Sequence, residues 1–110
     1  MKNFIQDGHY LDLTAPRALT SGEGFQVGSL FAVATTSTAT GTELSGAIVG
    51  VFDLAKASGE AWNTGDPVHW DDTAHAVTTA AAGNTLIGCA VAIATTTATT
   101  GRVRLNGTVA

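Results

Sequence analysis

The chain has 110 residues, a formal net charge of −4 and a single cysteine. One cysteine excludes a disulfide within the chain, and five scattered Lys and Arg residues make no basic patch for nucleic-acid binding. The sequence shows no apolar segment near the roughly 20 residues of a membrane span and no signal peptide at its start. A chain of this length buries roughly 60–70% of its unfolded surface, enough for one core.

Charged residues make up 13% of the chain, against about 25% in ordinary soluble domains. The polar surface must therefore come from Thr, Ser, Asn and Gly. Such a surface favours close contact with another protein, because few charges have to be desolvated. A Thr-rich β-protein without such a contact is the alternative.

We expect residues 1–8 to form an arm and residues 9–110 to form a single β domain. Phe4 and Ile5 are apolar residues at a terminus, where fraying is common. They are expected either to pack on their own domain or to dock on a neighbouring molecule.

Alternating apolar and polar residues predict a strand over 9–14, followed by a break at Pro16. Residues 25–35 are a long β-prone run in which Gly28 marks a bulge or a close approach. Residues 46–54 predict one further strand. Residues 55–66 are predicted to be a loop that holds Trp62, with room for one helical turn.

A two-stranded ribbon is predicted over 68–78, with the tight polar connection Asp71-Asp72-Thr73-Ala74 between its strands. Residues 85–94 and 102–105 complete the set. The total is seven or eight short strands with frequent turns and no convincing helix. This pattern predicts an all-β fold, a small single-domain β-barrel or sandwich with Thr-rich loops.

One partial internal repeat is visible. Residues 31–44 (FAVATTSTATGTEL) are similar to residues 91–105 (VAIATTTATTGRVRL). Each reads as an apolar strand, a Thr/Ala loop with glycine, and an alternating segment. Two similar hairpins suit a barrel or sandwich, although low-complexity loops also match by chance.

Several residues have side chains that could carry chemistry or binding. His69 and His75 flank the predicted turn and, with Asp71, form a conceivable metal set, but the spacing matches no compact ligand motif. Cys89 lies in an apolar run and is expected to be a small buried residue. Trp70 is expected in the core, whereas Trp62, in a loop, is as suited to binding as to packing. The sequence predicts no catalytic residue, metal or cofactor.

Four segments of the sequence resemble those of a known protein family. The segments MKNFIQDGHYLDLTAP, GVFDLAKASGEAWNTGDPVHWDDTAHAVTT, NTLIGCAVAIA and TGRVRLNG resemble, in this order and over nearly the whole chain, a family of small tailed-phage and prophage proteins. These are described as head decoration or capsid cement proteins, and some carry a label as predicted recombinases. That label implies a phosphate-binding GxxxxGK[ST] loop, which the sequence lacks.

The resemblance implies a non-enzymatic protein on the outer surface of a phage head, made in the bacterial host cytoplasm. It would bridge subunits of the major capsid protein and thereby stabilise the mature head. It also implies a homo-oligomer, with a trimer expected first and a dimer second, and no nucleic-acid or membrane partner. The candidate capsid or oligomer contacts are Phe4, Ile5, Tyr10 and Trp62, chosen for expected exposure.

Two alternatives remain at this point. One is a small metal-dependent or hydrolytic β-barrel that uses the hairpin of His69, His75 and Asp71. The other is a different virion component, such as a tail or fibre protein.

Overall fold

A computed structural model describes residues 8–107, and within this range the chain forms nine β-strands and no helix. The all-β prediction is therefore confirmed. No helix in this part of the chain is long and apolar enough to cross a membrane. The strands are β1 Tyr10–Thr14, β2 Gly24–Val27, β3 Leu30–Ala34, β4 Glu43–Ala47, β5 Val49–Ala55, β6 Pro67–Asp71, β7 Ala76–Thr78, β8 Thr85–Ala90 and β9 Thr100–Asn106.

The strands form two antiparallel sheets, ordered β1-β4-β3-β2 and β5-β9-β8-β6-β7. Only Ile48 separates β4 from β5, so the chain passes from one sheet to the other within one residue. Ile48 is 8% exposed, and its burial holds the crossing in place. The sequence predicted a single strand over residues 46–54, which is wrong because the break comes from packing and not from turn residues.

Two other predicted strands differ from the structure. Residues 25–35 are not one bulged strand but the β2–β3 hairpin, and Gly28 lies in its turn with a φ of 61°. This left-handed conformation suits glycine, which has no Cβ to clash. The strand predicted over residues 85–94 ends at Ala90, and residues 91–99 form a loop.

The interior consists of two apolar clusters. The larger lies under the second sheet and includes Trp62, Trp70, Val77 and Val103. Phe31 of the first sheet packs against Trp70 with ring centroids 4.9 Å apart, which joins the sheets. Trp70 is 2% exposed, so its predicted place in the core is confirmed. The smaller cluster lies within the first sheet and centres on Phe25, Ala32 and Leu44.

The two sheets follow one plan. In the first unit, defined as residues 10–47, β1 pairs with β4 and β2 with β3. In the second unit, residues 49–106, β5 pairs with β9 and β6 with β8, and β7 is added at the edge. Turn hydrogen bonds repeat as well. The Gly22 N–H donates to the Ala34 carbonyl at 2.8 Å, and the Gly65 N–H donates to the Ala90 carbonyl at 2.7 Å.

The repeat extends to the two cores, where residues at equivalent positions differ in size. Leu19 bridges Thr38 in the first unit, as Trp62 bridges Ala94 in the second. Leu44, opposite Leu13, corresponds to Gly101, opposite Leu54. A Cβ on Gly101 would lie 2.1 Å from Cζ3 of Trp62. Two leucines in one core are therefore replaced by a tryptophan and a glycine in the other.

The structure shows a repeated strand plan, but not with the alignment that the sequence similarity suggests. The sequence match equates Ala34 with Ala94, whereas the hydrogen bonds equate Ala34 with Ala90. The Thr/Ala loops match in composition with a shift of four residues. Low-complexity sequence carries too little information to fix the register.

Candidate interaction surface

The four contact residues predicted from sequence have different positions. Phe4 and Ile5 lie outside the described residues. Tyr10 opens the edge strand β1 and is 56% exposed. Trp62 is 0% exposed, so the expectation of an exposed loop tryptophan is wrong. The Trp62 side chain belongs to the larger apolar cluster under the second sheet.

Trp62 is held by a carboxylate. Glu60 accepts hydrogen bonds from the Trp62 Nε1–H at 3.3 Å, the Thr79 N–H at 2.9 Å and the Thr78 hydroxyl. Partial burial of Glu60 raises its pKa, but these three donors together outweigh burial and lower it below the usual value. The ionised carboxylate thus ties loop 56–66 to β7. Lys56 Nζ lies over the Trp62 ring, 5.9 Å from its centroid, in a cation–π contact.

One face of the first unit carries unpaired negative charge. Tyr10 and Asp12 share a face of β1, because alternate residues of a strand point the same way. Glu43 lies opposite Thr14 on that face of β4. Asp12 and Glu43 are exposed, and neither forms an ion pair within residues 8–107.

The corresponding face of the second unit carries the arginines. Arg102 Nε lies 3.0 Å from Asp53 Oδ1 in an exposed ion pair, and this contact raises the Arg102 pKa. Arg104 is opposite Val51 on the same face. Arg104 is exposed and has no carboxylate partner in the described part of the chain. Val51 is 55% exposed.

A shallow groove of about 390 Å³ adjoins this face. Its wall includes Ile93, Ala98, Gly101, Asp53 and Arg102. Ile93 is 75% exposed, a high value for an isoleucine. An exposed apolar side chain beside a charged pair is typical of a protein contact site. The sequence prediction missed Ile93 because it placed this residue within a strand; a lone isoleucine between alanines and threonines was the available signal.

In the hairpin proposed as a metal site, both aspartates bind donors of the hairpin itself. Asp71 Oδ1 accepts the N–H groups of Thr73 and Ala74 at 3.0 and 3.1 Å, which caps the turn as its position predicts. Asp72 Oδ1 accepts the Trp70 Nε1–H at 3.0 Å. His75 sits in the turn with a φ of 54°. Among residues 8–107, no three His, Cys, Asp or Glu side chains are grouped closely enough to hold a metal ion.

Cys89 differs from its prediction. It is half-buried and lies on β8 opposite Arg104 and Pro67. The expectation of a small buried core residue is wrong, because Cys89 points away from the core while Ala90 points into it.

Comparison with known proteins now adds the family. Residues 5–105 match a family described as phage cement protein. No curated protein and no solved structure matches. The match spans both repeated units and all nine strands except the last residue of β9. The chain therefore belongs to the phage cement protein family.

Proposed function

We propose that this protein is a non-enzymatic head decoration protein that binds the outer surface of a phage capsid and stabilises the mature head. Membership of the family gives the chain a capsid-associated structural role, and this observation carries the proposal. The finer proposal is that the protein bridges neighbouring subunits of the major capsid protein. The protein is made in the cytoplasm of the bacterial host and acts as a homo-oligomer, for which we favour a trimer over a dimer.

The surface supports this role. Exposed apolar side chains at Tyr10, Val51 and Ile93 lie on a molecule whose charged content is only 13%. Low charge reduces the desolvation cost of an extended contact, and exposed aromatic or aliphatic side chains supply its apolar centre.

Bridging supports stabilisation through multivalency. Once one subunit of an oligomer is bound to the capsid, the next contact is effectively intramolecular. Many weak contacts then hold neighbouring capsid subunits together, and separating them requires several contacts to break at once. These combined contacts resist the internal pressure of the packaged DNA.

The arm, residues 1–8, is a proposed capsid contact. Met1 to Ile5 includes three large apolar residues, Met1, Phe4 and Ile5, and precedes Tyr10 and β1 in the sequence. Terminal segments of this kind order on binding and add a strand or fill a groove on the partner. Deletion of residues 1–7 is expected to weaken capsid binding while leaving the far-UV circular dichroism spectrum unchanged. Undiminished binding would remove the arm from the interface.

Co-sedimentation with mature heads that lack decoration tests the proposal. The expected result is saturable binding at a fixed ratio to the major capsid protein, and heads that then release DNA at a higher temperature. If the protein stays in the supernatant with intact, expanded heads, the proposal is wrong. Binding to isolated tails instead would point to another virion role, and stoichiometric metal in the purified protein would revive the His69, His75 and Asp71 site.

A further inference from the structure

The duplicated units place equivalent side chains on equivalent faces. By strand pairing, Tyr10 corresponds to Val51 and Asp12 to Asp53, since Tyr10 and Asp12 lie opposite Ala47 and Ser45 while Val51 and Asp53 lie opposite Arg104 and Arg102. Tyr10 and Val51 are 56% and 55% exposed. Both β1 and β5 are edge strands. Each unit thus presents an apolar side chain and an aspartate at the border of its sheet.

The charge on these faces is opposite. Ser45 and Ala47 in the first unit are replaced by Arg102 and Arg104 in the second. Asp12 therefore has no arginine opposite it, whereas Asp53 is neutralised by Arg102. Arg104 is left over as an exposed cation. Two surfaces with the same backbone plan and opposite charge are complementary to each other.

The spacing also agrees. Tyr10 and Asp12 are two residues apart on β1, about 7 Å. Arg102, on the wall of the groove that holds Ile93, and Arg104 are likewise two residues apart along β9. An exposed tyrosine from another molecule that enters the groove would bring the following aspartate to Arg104.

We propose that the β1–β4 face of one copy docks on the β5–β9 face of the next copy. Tyr10 fills the Ile93 groove and Asp12 pairs with Arg104. The contact joins two different faces, so it repeats head to tail and closes into a ring when the rotation allows. This inference rests on the homo-oligomer in the proposed function and names its interface.

Light scattering after size-exclusion chromatography of the full chain is the test. Wild type is expected to elute as one closed oligomer. Arg104→Glu and Asp12→Arg should each weaken association at least tenfold and elute as monomers with unchanged circular dichroism. The charge-swapped double variant, Asp12→Arg with Arg104→Glu, should recover the oligomer. Ser29→Glu, at the β2–β3 turn beyond the opposite edge of the first sheet, is the control and should remain oligomeric.

A monomeric wild type, an oligomeric Arg104→Glu variant or a double variant that stays monomeric would each overturn the interface. These results are separate from head binding. A wild-type ring that fails to bind heads would contradict the proposed function and leave the interface standing. An oligomer that binds heads but is insensitive to the charge variants would contradict the interface and leave the proposed function standing.

Discussion

The exchange of two leucines for Trp62 and Gly101 predicts a strong coupling between these positions. Gly101 does not have a left-handed φ, so alanine is compatible with its backbone. Its added Cβ would nevertheless lie 2.1 Å from a ring carbon of Trp62, whose side chain is fully buried. Overpacking of this kind costs about 1–3 kcal/mol, and we expect Gly101→Ala to reach the upper end.

Trp62→Leu should also destabilise the protein, by about 2–3 kcal/mol. Truncation of a buried tryptophan to alanine costs about 3–5 kcal/mol, of which leucine restores a part. The bond to Glu60 is lost as well, worth about 1 kcal/mol. Independent effects would sum to about 5 kcal/mol, a large share of the roughly 5–15 kcal/mol that holds a domain folded.

The double variant should cost about as much as Trp62→Leu alone, because the smaller leucine leaves space for the new methyl group. Urea unfolding followed by far-UV circular dichroism, at one fixed protein concentration, measures all four proteins of the cycle. We expect a coupling of about 3 kcal/mol, equal to the cost of Gly101→Ala alone. Thr40→Ala, in an exposed loop, is the control and should change stability by less than about 0.5 kcal/mol. Single costs that add to within about 0.5 kcal/mol would refute the proposed size exchange.

Two further predictions concern stability. Gly88→Ala should cost about 3 kcal/mol or more in urea unfolding, because its Cβ would lie 1.9 Å from the Arg104 carbonyl oxygen and separate β8 from β9; near-wild-type stability would contradict the close approach. The lowered pKa of Glu60 means that its contribution is complete above its unfolded pKa near 4.5 and is lost as pH falls through the folded value. Glu60→Gln should therefore flatten the fall in thermal midpoint as the pH drops below about 4.5; an equally steep fall would remove Glu60 as its cause.

Local sequence signals predicted the strands with strict alternation and clear turns. β1, the β6–β7 hairpin and β9 agree with the residues that alternate between apolar and polar side chains. The Asp71 turn was also predictable, because aspartate caps such turns through its own carboxylate. In these places the local pattern and the tertiary packing favour the same structure.

The structure differs from the sequence prediction at positions where tertiary packing, not the local pattern, determines the conformation. The crossing at Ile48 contains no turn residue, and only the position of the two cores shows why the strand breaks there. Trp62 lies in a loop by sequence, yet the glycine at position 101 opens a core site that its ring fills. No local signal links residues 62 and 101. The exposed partners at Val51, Ile93 and Arg104 became visible only when the strand register was known.

We propose that the protein sits outside the head and joins capsid subunits. A cryo-electron microscopy reconstruction of heads saturated with the purified protein, compared with undecorated heads, tests it most directly. We expect added density on the outer surface, with each oligomer in contact with at least two major capsid protein subunits. Added density confined to the tail, or contact with a single subunit only, would contradict it.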